Sequence, residues 1–267
     1  MNKNDGGVRP ALAASFAIAK LQWRIIRIDP WFLIIMFAMP LAVMPFFRKT
    51  MALSLIDSGF EGATGAEQVV PGQTVLFGFF VAGSVGFSVF REHGWRTWDR
   101  LRTSPAGRVA LLGGFGIAWG VVHIVYQLVL FLAGAVFFGL SISVQGFATA
   151  AVIMVAYAIC LIPLMLLMSA AMRSVQQMSA FQNVGAMLLG GLGGALVPFD
   201  QLPGWAQFVA PITPAYWAME GYNSILLDGG GLGDIGASIA VLIAMGALFT
   251  VLTFRRFRDD DVKEFFA

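Results

Sequence analysis

The sequence predicts an all-α integral membrane protein, a single transmembrane domain over residues 1–267. Three observations carry that expectation. Apolar residues make up 58% of the chain, and its mean hydropathy is +0.78. Charged residues make up 12%, against about 25% in an ordinary soluble domain. The charge that is present gathers in a few short segments between apolar runs long enough to cross a bilayer. A chain this apolar has too little polar surface to cover itself in water.

A hydrocarbon core of about 30 Å takes roughly 20 residues of helix. Charge-free runs fall near 31–47, 68–90, 109–172, 174–199 and 235–254. The run from Val109 to Met172 is sixty-four residues long and must hold two spans, with the break near Leu140–Gly146, where small and polar residues cluster. Six spans result. The first contains Pro40 and Pro45, begins near Ile28 and is expected to run past Phe47. Proline is tolerated in such helices where neighbours satisfy the freed carbonyl.

Before the first span, Leu12, Phe16, Ala19, Trp23 and Ile26 recur at helical spacing, with Lys20, Arg24 and Arg27 on another face. That pattern predicts an amphipathic helix over 8–28 lying in the headgroup region, in contact with membrane lipids. Residues 1–7 are expected to be disordered. No cleavable signal peptide is expected, because Lys3, Arg9, Lys20, Arg24 and Arg27 interrupt any apolar core in the first thirty residues.

Orientation follows from the Lys/Arg bias of the connecting segments. With both termini cytoplasmic, segments 1–30 and 91–108, the turn at Arg173 and the tail from Arg255 hold fifteen of the seventeen basic residues. The opposite side keeps Arg48 and Lys49 beside Asp57, Glu61 and Glu67, and also carries Asp200, Glu220, Asp228 and Asp234. A multi-pass plasma-membrane location, the inner membrane of a bacterium, is expected, with no nucleic-acid partner.

Several chemistries have no sequence support. None of Lys3, Lys20, Lys49 and Lys263 completes a GxxxxGK[ST] phosphate loop, so this polypeptide does not bind ATP by that route. His-Glu-x-x-His and Gly-x-Ser-x-Gly are absent, and His93 and His123 are not spaced as a metal pair. No catalytic residue, metal ligand or bound cofactor is expected. The single cysteine, Cys160, excludes an internal disulfide. Proton-coupled carriers place ionisable groups along their pathway; spans three to five offer His123, which beside Tyr126 and Gln127 reads as an interhelical hydrogen-bonding group.

The segment Phe90–Arg108 stands apart, with five of the seventeen basic residues between two apolar runs. Within it Trp95, Trp98, Leu101 and Arg102 lie three to four apart and predict one face of a short helix over 91–105, ended by Pro105. From spacing alone this is either a contact surface or an interfacial linker whose tryptophans sit at headgroup level and whose arginines meet phosphates.

The stretch Thr97-Trp-Asp-Arg-Leu-Arg-Thr-Ser-Pro105 resembles the intracellular loop of the permease subunits of type-two ATP-binding-cassette (ABC) exporters. Thr97, Asp99, Leu101, Ser104 and Pro105 match position by position. The family's glycine before the threonine is replaced by Arg96, with Gly94 two places earlier, and the upstream acid corresponds to Glu92. The resemblance implies a coupling helix between spans two and three that docks on a separate ATPase. Glu92, Thr97, Asp99, Arg100, Ser104 and Pro105 would form its polar and terminal part, with Trp95, Trp98 and Leu101 as apolar anchors. Arg96 and Arg102 are the candidates for lipid phosphates.

A second match lies between spans five and six. Leu196–Trp205 and Pro211–Tyr216 resemble the family's outer segment of short re-entrant helices, at Pro198, Leu202, Pro203, Trp205 and Pro214. The physical reading agrees, since a stretch so broken by proline over 198–222 cannot be one helix. An ordinary outer loop with an aromatic belt is the other reading. Span five carries Gly185, Gly190, Gly191, Gly193 and Gly194, suited to close helix packing or to bending.

The resemblance covers nearly the whole chain and is closest to daunorubicin-resistance drug and antibiotic exporters. It implies a permease working as two copies with two nucleotide-binding ATPase subunits, which would carry ATP and magnesium. Phe, Met and Leu are plentiful and charge sparse in the spans, which suits a hydrophobic or amphiphilic cargo such as a drug, antibiotic or lipid. Export of lipid-linked polysaccharide or teichoic acid is the first alternative. An ATP-independent carrier or scaffold is the second.

Overall fold

A computed structural model describes residues 8–98 and 107–257. Its long elements are all helices: α1 (Val8–Ile28), α2 (Trp31–Asp57), α3 (Ala66–Gly94), α4 (Gly107–Phe137), α5 (Val144–Ala171) and α6 (Val175–Leu192). After α6 come short pieces, 3-10 turns at Phe199–Gln201 and Ala210–Ile212 around α7 (Gly204–Val209), and then α8 (Pro214–Leu226) and α9 (Gly236–Arg256). Residues 1–7, expected to be disordered, lie outside the described residues.

α3 is the axle. In its most apolar stretch 89% of residues are buried, against 11% in α2. It packs on α2, α4, α5, α6 and α8. Such a position requires small residues where neighbours approach: a Cβ on Gly83 would stand 2.2 Å from the Gln182 amide, and one on Gly86 2.5 Å from the Met178 methyl. The helix starts on a reciprocal cap, Thr64 N–H and hydroxyl both donating to Glu67 at 3.0–3.1 Å while the Thr64 hydroxyl accepts from Ala66 N–H.

Among the described residues five helices are long and apolar enough to cross a membrane: α2, α3, α4, α5 and α9. The expected first span begins at Trp31 and reaches Asp57, with Pro40 and Pro45 inside it. The expected break in the sixty-four-residue run lies at residues 138–143, where the Ser143 hydroxyl caps α5 by accepting from Gly146 N–H at 3.0 Å.

The remaining expected span, over 174–199, is shorter as a helix. α6 has eighteen residues, includes Gln176, Gln177, Gln182 and Asn183, and stops at Leu192. Gly194 adopts φ +85, a left-handed turn that side chains rarely allow. The neighbouring Gly193 lies so close to α8 that a Cβ would meet Ala215 Cβ at 2.4 Å and Tyr216 N at 2.6 Å. Of the five glycines singled out in the sequence, Gly190 packs on Leu76, while Gly185 and Gly191 make only ordinary contacts.

α1 is a helix over Val8–Ile28, and its packing adds a buried face that the spacing did not specify. Ser15, Ala19, Gln22 and Ile26 are buried, whereas Leu12, Phe16 and Trp23 are exposed. The helix packs on α4 through small groups, with Ser15 against Gly113 and Ile18 against Gly114. The apolar stripe that periodicity picks out is therefore split, with Leu12, Phe16 and Trp23 outward and Ala19 and Ile26 against the protein.

Interhelical hydrogen bonds fill the bundle where water is absent. Gln127 of α4 donates to Met154 O of α5 at 3.0 Å, and its carbonyl accepts from the Tyr222 hydroxyl of α8 at 3.1 Å. His123 faces the same amide at 3.1 Å, and the Tyr157 hydroxyl donates to Val75 O of α3 at 3.1 Å. The Gln127 and Tyr157 bonds tie α4 to α5 and α8 and α5 to α3, where a buried unpaired group would be costly, while the His123–Gln127 contact stays within α4.

Gly193→Val should destabilise the protein by about 1–3 kcal/mol, because the contacting atoms are backbone and a helix Cβ that cannot rotate away. Gly120→Ala, where a Cβ meets nothing within 4 Å, should leave the apparent Tm in detergent unchanged or slightly higher. Thermal scans of the two variants check both expectations.

Candidate functional site

The charged segment begins while α3 is still helical. Arg91, Glu92 and His93 occupy its last turn, which closes at Gly94, and Trp95 to Thr97 form a turn. Glu92 is 4% exposed and Gln22 of α1 is 1% exposed. One amide serves two neighbouring charges: Gln22 Nε2 donates to Glu92 Oε1 at 3.3 Å, and its carbonyl accepts from Arg91 Nη2 at 2.6 Å. The Thr97 hydroxyl donates to the other Glu92 oxygen, and Thr97 N–H donates to Glu92 O at 3.0 Å. Glu92 thus closes the turn from inside and pins it to α1.

Aromatic packing fixes the far side. His93 and Trp98 stack with centroids 4.4 Å apart, and Trp98 lies 5.6 Å from Phe257, just past α9. Arg108 Nη1 donates to Phe257 O at 3.2 Å, bringing in the first turn of α4. The Arg91 guanidinium sits 5.2 Å over Trp95, whose ring is 55% exposed. Four helices therefore meet at this turn.

This geometry changes the expected division of labour. A single helix over 91–105 is interrupted at Trp95–Thr97, so Trp95 and Trp98 do not share one helical face. Trp98 is 5% exposed and Glu92 is buried, so both hold the turn together from within, while Trp95 is presented outward. Asp99, Arg100, Leu101, Arg102, Ser104 and Pro105 lie outside the described residues. Gln22, Arg108 and Phe257 went unrecognised in the sequence; a glutamine on an otherwise apolar helix was the available signal for the first.

Arg96 explains the glycine expected in its place. Its φ is +56, and among the described residues it is the one non-glycine at positive φ. The turn demands left-handed backbone, which costs a residue with a Cβ roughly 1–2 kcal/mol.

At the opposite end of α3 the prolines mark the ends of short pieces. Pro198 precedes the turn at Phe199, Pro203 precedes α7, and Pro214 opens α8 behind Thr213, whose hydroxyl accepts from Tyr216 N–H at 3.2 Å. Leu202 closes the first 3-10 turn. Gln207 Nε2 donates to Leu202 O at 2.9 Å and ties the pieces together. Trp205, Phe208 and Ile212 are exposed, and Gln68 Nε2 of α3 donates to Gly194 O at 2.7 Å.

These features define a class: a helical membrane protein with a structured polar turn at one end of a buried axle and a proline-broken segment at the other. Residues 47–255 match the family described as ABC-2 family transporter protein, most of the chain. The chain belongs to that family and is a multi-pass membrane permease subunit of an ABC transporter. It is similar to the linearmycin resistance permease protein LnrN of Bacillus subtilis, 24% identical over 191 residues. That alignment covers 70% of this chain and 49% of the relative, so the chain spans about half the relative's length.

Two substitutions at the turn should move stability in opposite directions. Arg96→Gly relieves the left-handed backbone and should stabilise by about 1 kcal/mol. Thr97→Val keeps the shape but leaves a buried carboxylate oxygen short of a donor, and should destabilise by about 1–3 kcal/mol. Apparent Tm of the purified chain reads both.

Proposed function

We propose that this chain is the transmembrane half of an ATP-driven exporter, acting as two copies bound to two separate ATPase subunits. The observation that supports the reading is the buried turn at the end of α3, where Thr97, the first residue of the stretch that resembles the family's loop, closes on Glu92. A displacement of that turn has a continuous buried helix along which to reach the outer segment, through contacts such as Gln68 to Gly194.

In this mechanism ATP and magnesium bind on the partner. Closure of the paired ATPases carries the Trp95–Pro105 segment inward, α3 tilts, and the two copies open an outward path between them. α6 serves as the sixth span, both termini are cytoplasmic, and the short pieces over 198–222 form a re-entrant cap on the outer side. α1 lies at the inner membrane surface, its exposed Leu12, Phe16 and Trp23 turned to lipid. The copies meet along α2 and α6, where Ile35, Met39 and Phe46 and then Val184, Met187 and Leu188 are exposed.

The cargo is hydrophobic or amphiphilic. A cavity of about 730 Å³ opens beside the turn, walled by Ile25, Ile28, Phe32, Leu33 and Phe87, with Asp29 and Arg91 as its charged groups. Apolar walls with a few polar groups suit a guest of that kind. The antibiotic-resistance role in the name of the Bacillus subtilis relative points the same way.

An ATPase with a phosphate loop, encoded beside this chain, should co-purify with it and be stimulated by it. Asp99→Lys should abolish that association while membrane insertion continues; normal transport by the variant would remove Asp99 from coupling. Transport of a labelled hydrophobic drug should stop when the ATPase is inactivated. Accumulation of a cytoplasmic glycan precursor in a deletion strain would instead assign a lipid-linked polysaccharide cargo.

A further inference from the structure

A second cavity, of about 420 Å³, lies at the other end of α3 from Arg91. Among the described residues its wall takes four carboxylates, Asp200, Glu220, Asp228 and Asp234, and no lysine or arginine. Phe199 and Tyr216, with centroids 5.0 Å apart, form an aromatic side. Burial, with Asp228 and Asp200 adding to it, holds the Glu220 carboxyl above its ordinary range. Asp228 and Asp200 therefore repel Glu220, and among the described residues of the lining no lysine or arginine offsets them.

The depth of the cavity supplies an independent observation. Gln68 lines it and is 1% exposed. Its Nε2 is committed to Gly194 O at 2.7 Å, while its Oε1 accepts no hydrogen bond. Asn223 lines the same cavity, and its Oδ1 is buried and unpartnered too. Buried acceptors left empty cost free energy unless a donor arrives.

The chemistry narrows the ligand. Among the described residues no group of three or more His, Cys, Asp or Glu converges on a point where a metal ion could sit. A quaternary ammonium would answer the carboxylates but has no hydrogen to give Gln68 or Asn223. A neutral alcohol has the hydrogen but leaves the carboxylates uncompensated. A protonated primary or secondary amine provides both, and its charge is favoured near an aromatic face. We propose that this cavity is a binding site for a small organic amine in its ammonium form, with N–H groups directed at Gln68 Oε1 and Asn223 Oδ1, the carboxylates around the charge, and the Phe199–Tyr216 pair beside its carbon skeleton. The site is distinct from the apolar cavity beside the turn, and its occupancy does not depend on coupling to an ATPase or on which side of the membrane it faces.

The test uses the full chain in lipid nanodiscs and equilibrium binding of radiolabelled phenethylamine. Saturable binding with Kd of about 1 mM or below is expected, without matching binding of phenethyl alcohol. Gln68→Met also breaks the bond to Gly194, so two exposed or half-buried positions carry the decision. Glu220→Gln and Asn223→Ala should each weaken binding about tenfold. Glu61→Gln, an exposed acid outside the lining, should change it by no more than about twofold. Absence of saturable binding, equal binding of the alcohol, or an equal loss in Glu61→Gln would overturn the site.

Discussion

The burial of α3 is the constraint on which the rest of the structure depends. A helix packed on most sides within an apolar bundle must satisfy every backbone group internally and accept its neighbours closely. Its glycines do the second: Gln182 and Met178 of α6 occupy the space that side chains at 83 and 86 would fill. Gln182 then donates to Phe80 O at 2.7 Å, so the contact that needs a glycine also supplies a hydrogen bond. α2, by contrast, touches the bundle along a narrow stripe and leaves Trp31, Ile35, Met39 and Phe46 exposed. That asymmetry separates a fixed interior helix from one free to meet lipid or a second copy.

Polar chemistry then gathers at the two ends of the same helix. At one end Glu92 and Arg91 share the Gln22 amide, and Thr97 closes on Glu92. At the other, Thr64 and Glu67 cap the first turn, while Gln68 holds the chain just after α6. Between them lie Ser84 and Ser88, with Trp119 of α4 donating to Ser88 Oγ at 2.9 Å. The arrangement ties α1, α4 and the region after α6 to one rigid element rather than to loops.

Much of this was legible in the sequence because it rests on local rules. Charge-free length marked the long helices, and the Ser143 region marked the break between α4 and α5. Prolines 198, 203 and 214 marked the piecewise segment before α8. What was not legible depended on which neighbour a residue meets. Periodicity could show that α1 has an apolar stripe, but not that Ser15, Ala19 and Gln22 would be the buried face, since glycines at 113 and 114 far along the chain create that contact. Spacing put Trp95 and Trp98 on one face because helical continuation was assumed; the left-handed residue at Arg96 breaks it. Glu92 was read as the upstream acid of the family's loop, and the resemblance could not show that it is buried and clasps the turn from within.

The central claim is that α3 carries the turn and the proline-broken segment as one body. Spin labels on Trp95→Cys and Gly204→Cys, in a chain whose single cysteine, the buried Cys160, is replaced by serine, measure it directly. In the proposed assembly of two copies with a partner ATPase, the Trp95–Gly204 distance within one chain should stay within about 2 Å between nucleotide-free and ATP-bound states, while the distance between the Trp95 labels of the two copies should change. A change within one chain as large as the change between copies would contradict the account.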